Sequence, residues 1–127
     1  MRKKFMTAFA AVAGIAVISA SLFAHHAGSR YDWRNPVTLT GTVTQYLFVN
    51  PHTQIHFEVT DANGIVTRWV AESVSMNKLH RSGWTATTLQ PGDRVTVTGA
   101  PQLEGQKEMG VIRLVGPAGQ VIGKGVE

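Results

Sequence analysis

Hydrophobic and polar residues alternate along most of the chain after residue 36, which is the pattern of half-buried β-strands. In residues 37–44, one predicted face carries apolar or small residues and the other carries threonines. The first face comprises Val37, Leu39, Gly41 and Val43. A glycine in mid-strand, here Gly41, predicts a bulge or a tight bend of the kind that small barrels require.

The same alternation predicts four further strands, at residues 53–59, 65–72, 94–99 and 110–115. In the first of these, the inward side chains are Ile55, Phe57 and Val59, and the outward ones are Gln54, His56 and Glu58. The Asn-Gly pair within Asp61–Gly64 predicts a hairpin turn, because this pair readily adopts positive φ. A short helix is predicted over residues 73–81, with Gly83 at its C-terminal cap.

The predicted element order is therefore β-β-β-α-β-β. This order is typical of the OB-fold, a five-stranded Greek-key barrel. We expect an all-β, OB-like barrel over residues 37–122, with one short helix. A segment at residues 25–36 precedes the barrel, and a tail at 123–127 follows it. A β-sandwich fits less well, because too few strands are visible.

The first 24 residues follow a different pattern, that of a secretory signal peptide. Basic residues at Arg2–Lys4 precede an apolar run at 5–18, and small residues follow it as far as Ala24. We expect cleavage after Ala24, with Ala20 as the second choice, and a periplasmic protein with no membrane span in its mature form. The alternative is a retained anchor, because about 20 apolar residues cross a bilayer.

Charge and cysteine content narrow the choice of partners. The 127 residues carry 12 Lys+Arg and 8 Asp+Glu, and the pI is near 9.9, which by itself suggests nucleic acid. Three of the basic residues lie within the predicted signal peptide, and the chain after residue 24 has a net charge of only +1. We therefore predict no nucleic-acid partner. With no cysteine, the chain has neither a disulfide nor a thiolate metal site.

Several short motifs occur in one order along the chain. They are Ala24–His26, Pro36–Val43, Asn50–His52, Trp69–Glu72, Leu79–Trp84 and Leu89–Pro101. In these motifs the sequence resembles an uncharacterised family of small exported proteobacterial proteins, across residues 24–122. The resemblance implies a periplasmic OB-like domain, and it implies no established activity and no catalytic residues.

The histidines are the residues with the clearest potential for chemistry, and all five follow the predicted cleavage site. They are His25, His26, His52, His56 and His80. Cleavage after Ala24 would leave His25 with a free α-amine, so that this amine and its own Nδ1 could chelate one metal ion. A second imidazole would complete a histidine brace, and such nitrogen donors suit Cu(II).

Three histidines are candidates for that second imidazole, namely His26, His52 and His56. On a straight strand His52 and His56 would lie about 13 Å apart, so one ion could not bind both. Pro51 favours a loop position for His52. Each histidine also fits an ordinary surface or terminal residue when it is considered alone.

Motifs of enzymes are scarce in this sequence. It lacks a nucleophile elbow, a phosphate-binding loop and a pair of metal-binding histidines at helical spacing. We therefore predict a periplasmic binding protein that is not an enzyme and that binds copper or another transition metal through its N-terminal histidines. The alternatives are an accessory module for an envelope protein or cell-envelope ligand, and an oligosaccharide-binding protein.

Overall fold

The computed structural model describes residues 30–123, so the predicted signal peptide, His25, His26 and residues 124–127 lie outside the described residues. The described part contains six strands and one short helix. They are β1 (Val37–Leu47), β2 (Gln54–Thr60), β3 (Val66–Glu72), α1 (Met76–Arg81), β4 (Arg94–Pro101), β5 (Glu108–Val115) and β6 (Val121–Ile122).

The first five strands form a closed barrel. The strands are hydrogen-bonded in the order β3-β2-β1-β4-β5-β6, and a further pairing joins β3 to β5. This last pairing is parallel and runs from Val70 opposite Glu108 to Glu72 opposite Gly110. The closed five-stranded barrel, with its single short helix between β3 and β4 in the described chain, confirms the predicted OB-like fold.

Strand β1 closes the barrel by pairing with two neighbours. Its first half pairs with β4 up to Thr42, and its second half pairs with β2 from Thr42 onward. The strand bends where the partner changes, and a Cβ placed on Gly41 would lie 2.4 Å from the carbonyl oxygen of Glu58. This close approach accounts for the glycine at position 41. The register shift itself follows, between Val43 and Gln45.

The barrel interior is filled by the inward residues of all five barrel strands, together with side chains from the loops and the helix. The core comprises Val43, Ile55, Phe57, Ala71, Leu79, Trp84, Leu89, Val95, Val97, Met109, Val111, Leu114 and Ile122. Val37 differs from the prediction, since it lies at the start of β1 and is 36% exposed. The outward threonines of β1 hydrogen-bond to those of β4, as between Thr38 and Thr98 at 2.8 Å.

The β2–β3 hairpin forms where the Asn-Gly pair predicts it. The Asp61 Oδ1 atom accepts hydrogen bonds from the backbone N–H groups of Asn63 and Ile65, at 2.8 and 2.9 Å. Gly64 has a φ of +80°, a conformation that favours glycine. The turn fixes the register of the hairpin, in which Gln54 lies opposite Glu72.

Helix α1 begins three residues later than predicted. Two backbone hydrogen bonds continue the β2–β3 pairing past the strand ends: the Ser73 N–H donates to the carbonyl of Thr53, and the Thr53 N–H donates to the carbonyl of Val74. These bonds extend the strand pairing through residues 73–74. The helix then starts after Ser75, whose hydroxyl accepts from the Lys78 N–H and so caps the first turn.

Candidate functional site

His52 lies in the loop that joins β1 to β2, where its ring contacts a carboxylate. The Nδ1 atom of His52 is 3.0 Å from Oε1 of Glu72, the last residue of β3. The His52 side chain is 45% exposed, whereas that of Glu72 is 13% exposed. An imidazole whose Nδ1–H donates to a carboxylate has a fixed tautomer, with the Nε2 lone pair directed away from that carboxylate.

The loop that carries His52 is held by hydrogen bonds between side chains and the backbone. Thr53 is fully buried, and its hydroxyl donates to the carbonyl of Val49 at 3.4 Å. The Asn50 side chain accepts from the backbone N–H of Asn77, also at 3.4 Å, which ties the loop to helix α1. His52 is therefore presented from a constrained loop, as Pro51 predicts.

His56 lies elsewhere on the barrel surface. It points outward from β2, where it is paired with Gln45 of β1 and Val70 of β3. Its Nε2 atom lies 3.2 Å from Oε1 of Gln54. His52 and His56 thus have separate partners, and the structure does not bring their rings to a common contact.

His80 takes no part in this region, since it lies on the exposed side of helix α1. Within residues 30–123 there is no group of three or more His, Asp or Glu side chains that could hold a metal ion. In the same residues no helix has the length and apolar character needed to cross a membrane.

Residues just before β1 pack against β5, next to the strand that carries Glu72. Tyr31 is 5% exposed, and its hydroxyl donates to Oε1 of Glu108 at 2.8 Å. The Trp33 ring lies over Gly110, where an added Cβ would approach it to 2.6 Å. Gly110 is itself paired with Glu72. The described chain therefore begins on the same part of the barrel surface as the His52–Glu72 pair.

Glu72 and Glu108 are contacts that the sequence analysis did not identify. In the sequence Glu72 is only the last residue of the motif Trp69–Glu72, whereas in the structure it contacts His52. The hairpin register was the signal that could have located it, because a three-residue turn between Asp61 and Ile65 sets position 54 opposite position 72. No local pattern links Tyr31 to Glu108, which are 77 residues apart.

A second polar region lies on the outer faces of β1, β2 and β3. A depression of about 450 Å³ there is lined by Thr44, Gln45, His56, Glu58 and Arg68. Within it, Nε of Arg68 donates to Oε1 of Glu58 at 2.9 Å. All five lining side chains can form hydrogen bonds.

The strand order and the closed barrel define an OB-fold protein. The chain belongs to DUF6152, a family of unknown function whose family model matches residues 11–111. No curated protein matches the sequence.

Solved structures of similar fold have low sequence identity to this chain. The small single-stranded DNA-binding protein from Streptomyces coelicolor is 15% identical with a TM-score of 0.48, and the match covers 65% of this chain and 90% of that one. The S. pombe Stn1-Ten1 complex is 17% identical with a TM-score of 0.44, and coverage is 64% and 57%. Yeast Stn1 and Ten1 are 12% identical with a TM-score of 0.42, and the match covers 64% of this chain and 42% of that one. The chain thus spans about half the length of the Stn1-Ten1 chains that it matches.

These structures correct one prediction. Nucleic acid was excluded as a partner because the net charge of the chain after residue 24 is only +1. The solved structures of similar fold include a protein that binds single-stranded DNA, so the exclusion was wrong and is withdrawn.

Proposed function

We propose that the protein is an exported binding protein that holds a transition-metal ion, copper(II) foremost, between His52 and the histidines at its processed N-terminus. The observation that carries the proposal is the contact between Nδ1 of His52 and Glu72 at 3.0 Å. A carboxylate that accepts from the second ring nitrogen is the usual partner of a metal-binding histidine, because it orients the ring and raises its basicity.

The exposure of the two side chains supports a ligand role for His52. Glu72 is largely shielded, whereas His52 remains 45% exposed, so the ring is held from one side and accessible from the other. A histidine that only faced solvent would not require a carboxylate to orient its ring. The His52–Glu72 pair therefore supplies one oriented imidazole nitrogen.

The remaining donors must come from outside residues 30–123, because no complete set of metal ligands occurs within them. His25 and His26 are the candidates. Five residues lie between His25 and Tyr31, the first buried residue of the described chain, so both histidines precede the barrel closely in sequence.

Export is the second part of the proposal, because the chemistry of His25 depends on it. The basic start, apolar run and small residues of positions 1–24 support a cleavable signal peptide. Cleavage after Ala24 would give His25 an α-amine with an ordinary pKa near 8 in model peptides, and this amine binds metal when deprotonated. The ligand set would then be the amine, the His25 ring and the His52 ring.

The proposal is tested by copper(II) titration of the protein isolated from the periplasm, after its N-terminus has been determined by intact mass. We expect His52→Ala to weaken binding strongly and Glu72→Gln to weaken it by about 10- to 100-fold, the usual effect of losing such a carboxylate. His80→Ala is the matched control and should bind as the wild type does.

Two outcomes would contradict the proposal. The first is a processed chain that starts at Ser21, since His25 then lacks a free amine. The second is equal, weak copper binding by the wild type and the His52→Ala and His80→Ala variants. That second result would favour an accessory module for an envelope protein, which a metal-independent pull-down would then identify.

A further inference from the structure

The depression on the outer faces of β1, β2 and β3 is separate from the His52–Glu72 pair. We propose that it is a binding site for an acidic saccharide of the uronic-acid type, which presents a carboxylate beside ring hydroxyls. The inference is independent of the proposed metal binding, because none of its residues contributes to the His52–Glu72 pair.

The depression arises from the course of β1. The register shift between Val43 and Gln45 displaces this strand relative to β2, so that Thr44 and Gln45 lie at one side of the depression. His56 and Glu58 form its floor, and Arg68 of β3 forms the other side. Its volume of about 450 Å³ is within the range of small-molecule sites, about 300–1,000 Å³.

Arg68 is already oriented by a neighbour. Its Nε donates to Oε1 of Glu58 at 2.9 Å, while its side chain is 86% exposed. The bond uses one of the five N–H donors of the guanidinium and leaves the edge formed by the two Nη groups for a ligand. That edge matches the two oxygens of a carboxylate in a bidentate contact.

The other side chains complement hydroxyl groups. Nε2 of His56 lies 3.2 Å from the amide oxygen of Gln54, and the ring of a histidine has a second nitrogen, Nδ1, that can form a hydrogen bond with a ligand. The second oxygen of Glu58 is also an acceptor, whereas Thr44 and the amide of Gln45 can donate or accept. One guanidinium edge with several hydroxyl partners corresponds to one sugar residue that carries a single carboxylate.

The lining residues of the depression also predict weak binding. None of the five lining residues is Phe, Tyr or Trp, so no large aromatic ring is available to stack on a sugar face. The exposed guanidinium keeps much of its contact with water, which reduces the strength of an ion pair. We therefore expect a dissociation constant on the order of 1 mM for a single short saccharide.

The test is a titration of the ¹⁵N-labelled protein, followed by backbone amide shifts in NMR spectra. The probes are digalacturonate, galactose and succinate, which present the carboxylate with hydroxyls, the hydroxyls alone and the carboxylate alone. We expect digalacturonate to shift the amides of Gln45, His56 and Arg68, and to bind at least about fivefold more tightly than either other probe.

Two variants test the role assigned to the guanidinium. Arg68→Lys keeps the charge but loses the planar fork, and should weaken digalacturonate binding at least about fivefold. Arg113→Lys is the matched control on β5, where its side chain is also exposed and lies away from the depression. It should leave binding unchanged.

Each other result would overturn the proposal. If galactose bound as tightly as digalacturonate, the carboxylate would have no role in recognition. If succinate bound as tightly as digalacturonate, the sugar hydroxyls would have no role in recognition. Unchanged affinity in Arg68→Lys, shifts confined to other surfaces, or no shift at about 20 mM digalacturonate would exclude this site, since 20 mM far exceeds the expected dissociation constant. None of these results bears on copper binding.

Discussion

The bend of β1 at Gly41 gives the sharpest prediction about the fold. Replacing Gly41 with alanine would place a Cβ atom 2.4 Å from the carbonyl oxygen of Glu58 and 2.8 Å from the ring of Phe57. Both distances are far below van der Waals contact. The first neighbour is a backbone atom and the second is a fully buried ring, so neither can move away without disturbing β2 or the core.

The expected magnitude follows from two opposing effects. Overpacking in a tightly packed interior costs about 1–3 kcal/mol of unfolding free energy. Replacing glycine with alanine also reduces the entropy of the unfolded chain, which stabilises the fold by about 0.4–1 kcal/mol. The steric effect is the larger, and we expect a net loss of about 1–2 kcal/mol.

Thermal unfolding followed by circular dichroism measures this loss. For a domain of this size, 1 kcal/mol corresponds to about 4–8 °C in Tm, so Gly41→Ala should lower Tm by about 4–16 °C. The matched control is Gly123→Ala, because an added Cβ at Gly123 meets no atom within 4 Å and its φ is not positive. A Tm for Gly41→Ala equal to or above that of Gly123→Ala would refute the close approach that we assign to the bend.

Further predictions concern three polar side chains. Burial raises the pKa of Tyr46 to about 12, and its hydroxyl has no hydrogen-bond partner among residues 30–123. In the unfolded chain the Tyr46 hydroxyl ionises near pH 10, so the free energy of unfolding should fall as the pH rises from about 10 to 12. Tyr46→Phe should abolish this fall. The same variant should stabilise the protein at pH 7 by about 1 kcal/mol in urea unfolding. Tyr31→Phe should do the opposite and lower stability by about 1–3 kcal/mol, because the hydroxyl donates to the carboxylate of Glu108; a gain in Tm would contradict that role. Asp61→Ala should lower Tm by several degrees through loss of two turn hydrogen bonds, and an unchanged Tm would show that the turn does not depend on them.

Local patterns were sufficient to predict the barrel. Strands β1 to β5 each contain alternation that is visible without knowledge of their neighbours, and the turn at Asp61–Gly64 carries its own signal. The helix was placed three residues too early because the pairing of Ser73 with Thr53 depends on the completed hairpin. The sequence of residues 73–75 does not reveal that competition.

Elements that depend on distant contacts were not predicted. Strand β6 has only two residues, Val121 and Ile122, and it forms because β5 offers an unpaired edge at Leu114–Val115. The packing of Trp33 requires a glycine at position 110, and these two residues lie at opposite ends of the barrel sequence. Such contacts follow from the closed barrel, not from the composition of either segment.

The candidate site was predicted in part. The loop position of His52 and the outward direction of His56 follow from Pro51 and from the alternation in β2, and both are confirmed. The partners of these rings, Glu72 and Gln54, required the register of the β2–β3 hairpin. The roles of His25 and His26 stay predictions, because these residues lie outside the described part of the chain.

Electron paramagnetic resonance of the copper(II)-loaded, processed protein tests the central claim most directly, because the nitrogen couplings report which atoms bind the ion. The account predicts couplings from the N-terminal amine and from two imidazoles. It predicts the loss of one imidazole coupling in His52→Ala and an unchanged spectrum in His80→Ala. Identical spectra for the wild type and His52→Ala would show that His52 is not a ligand and would contradict the account.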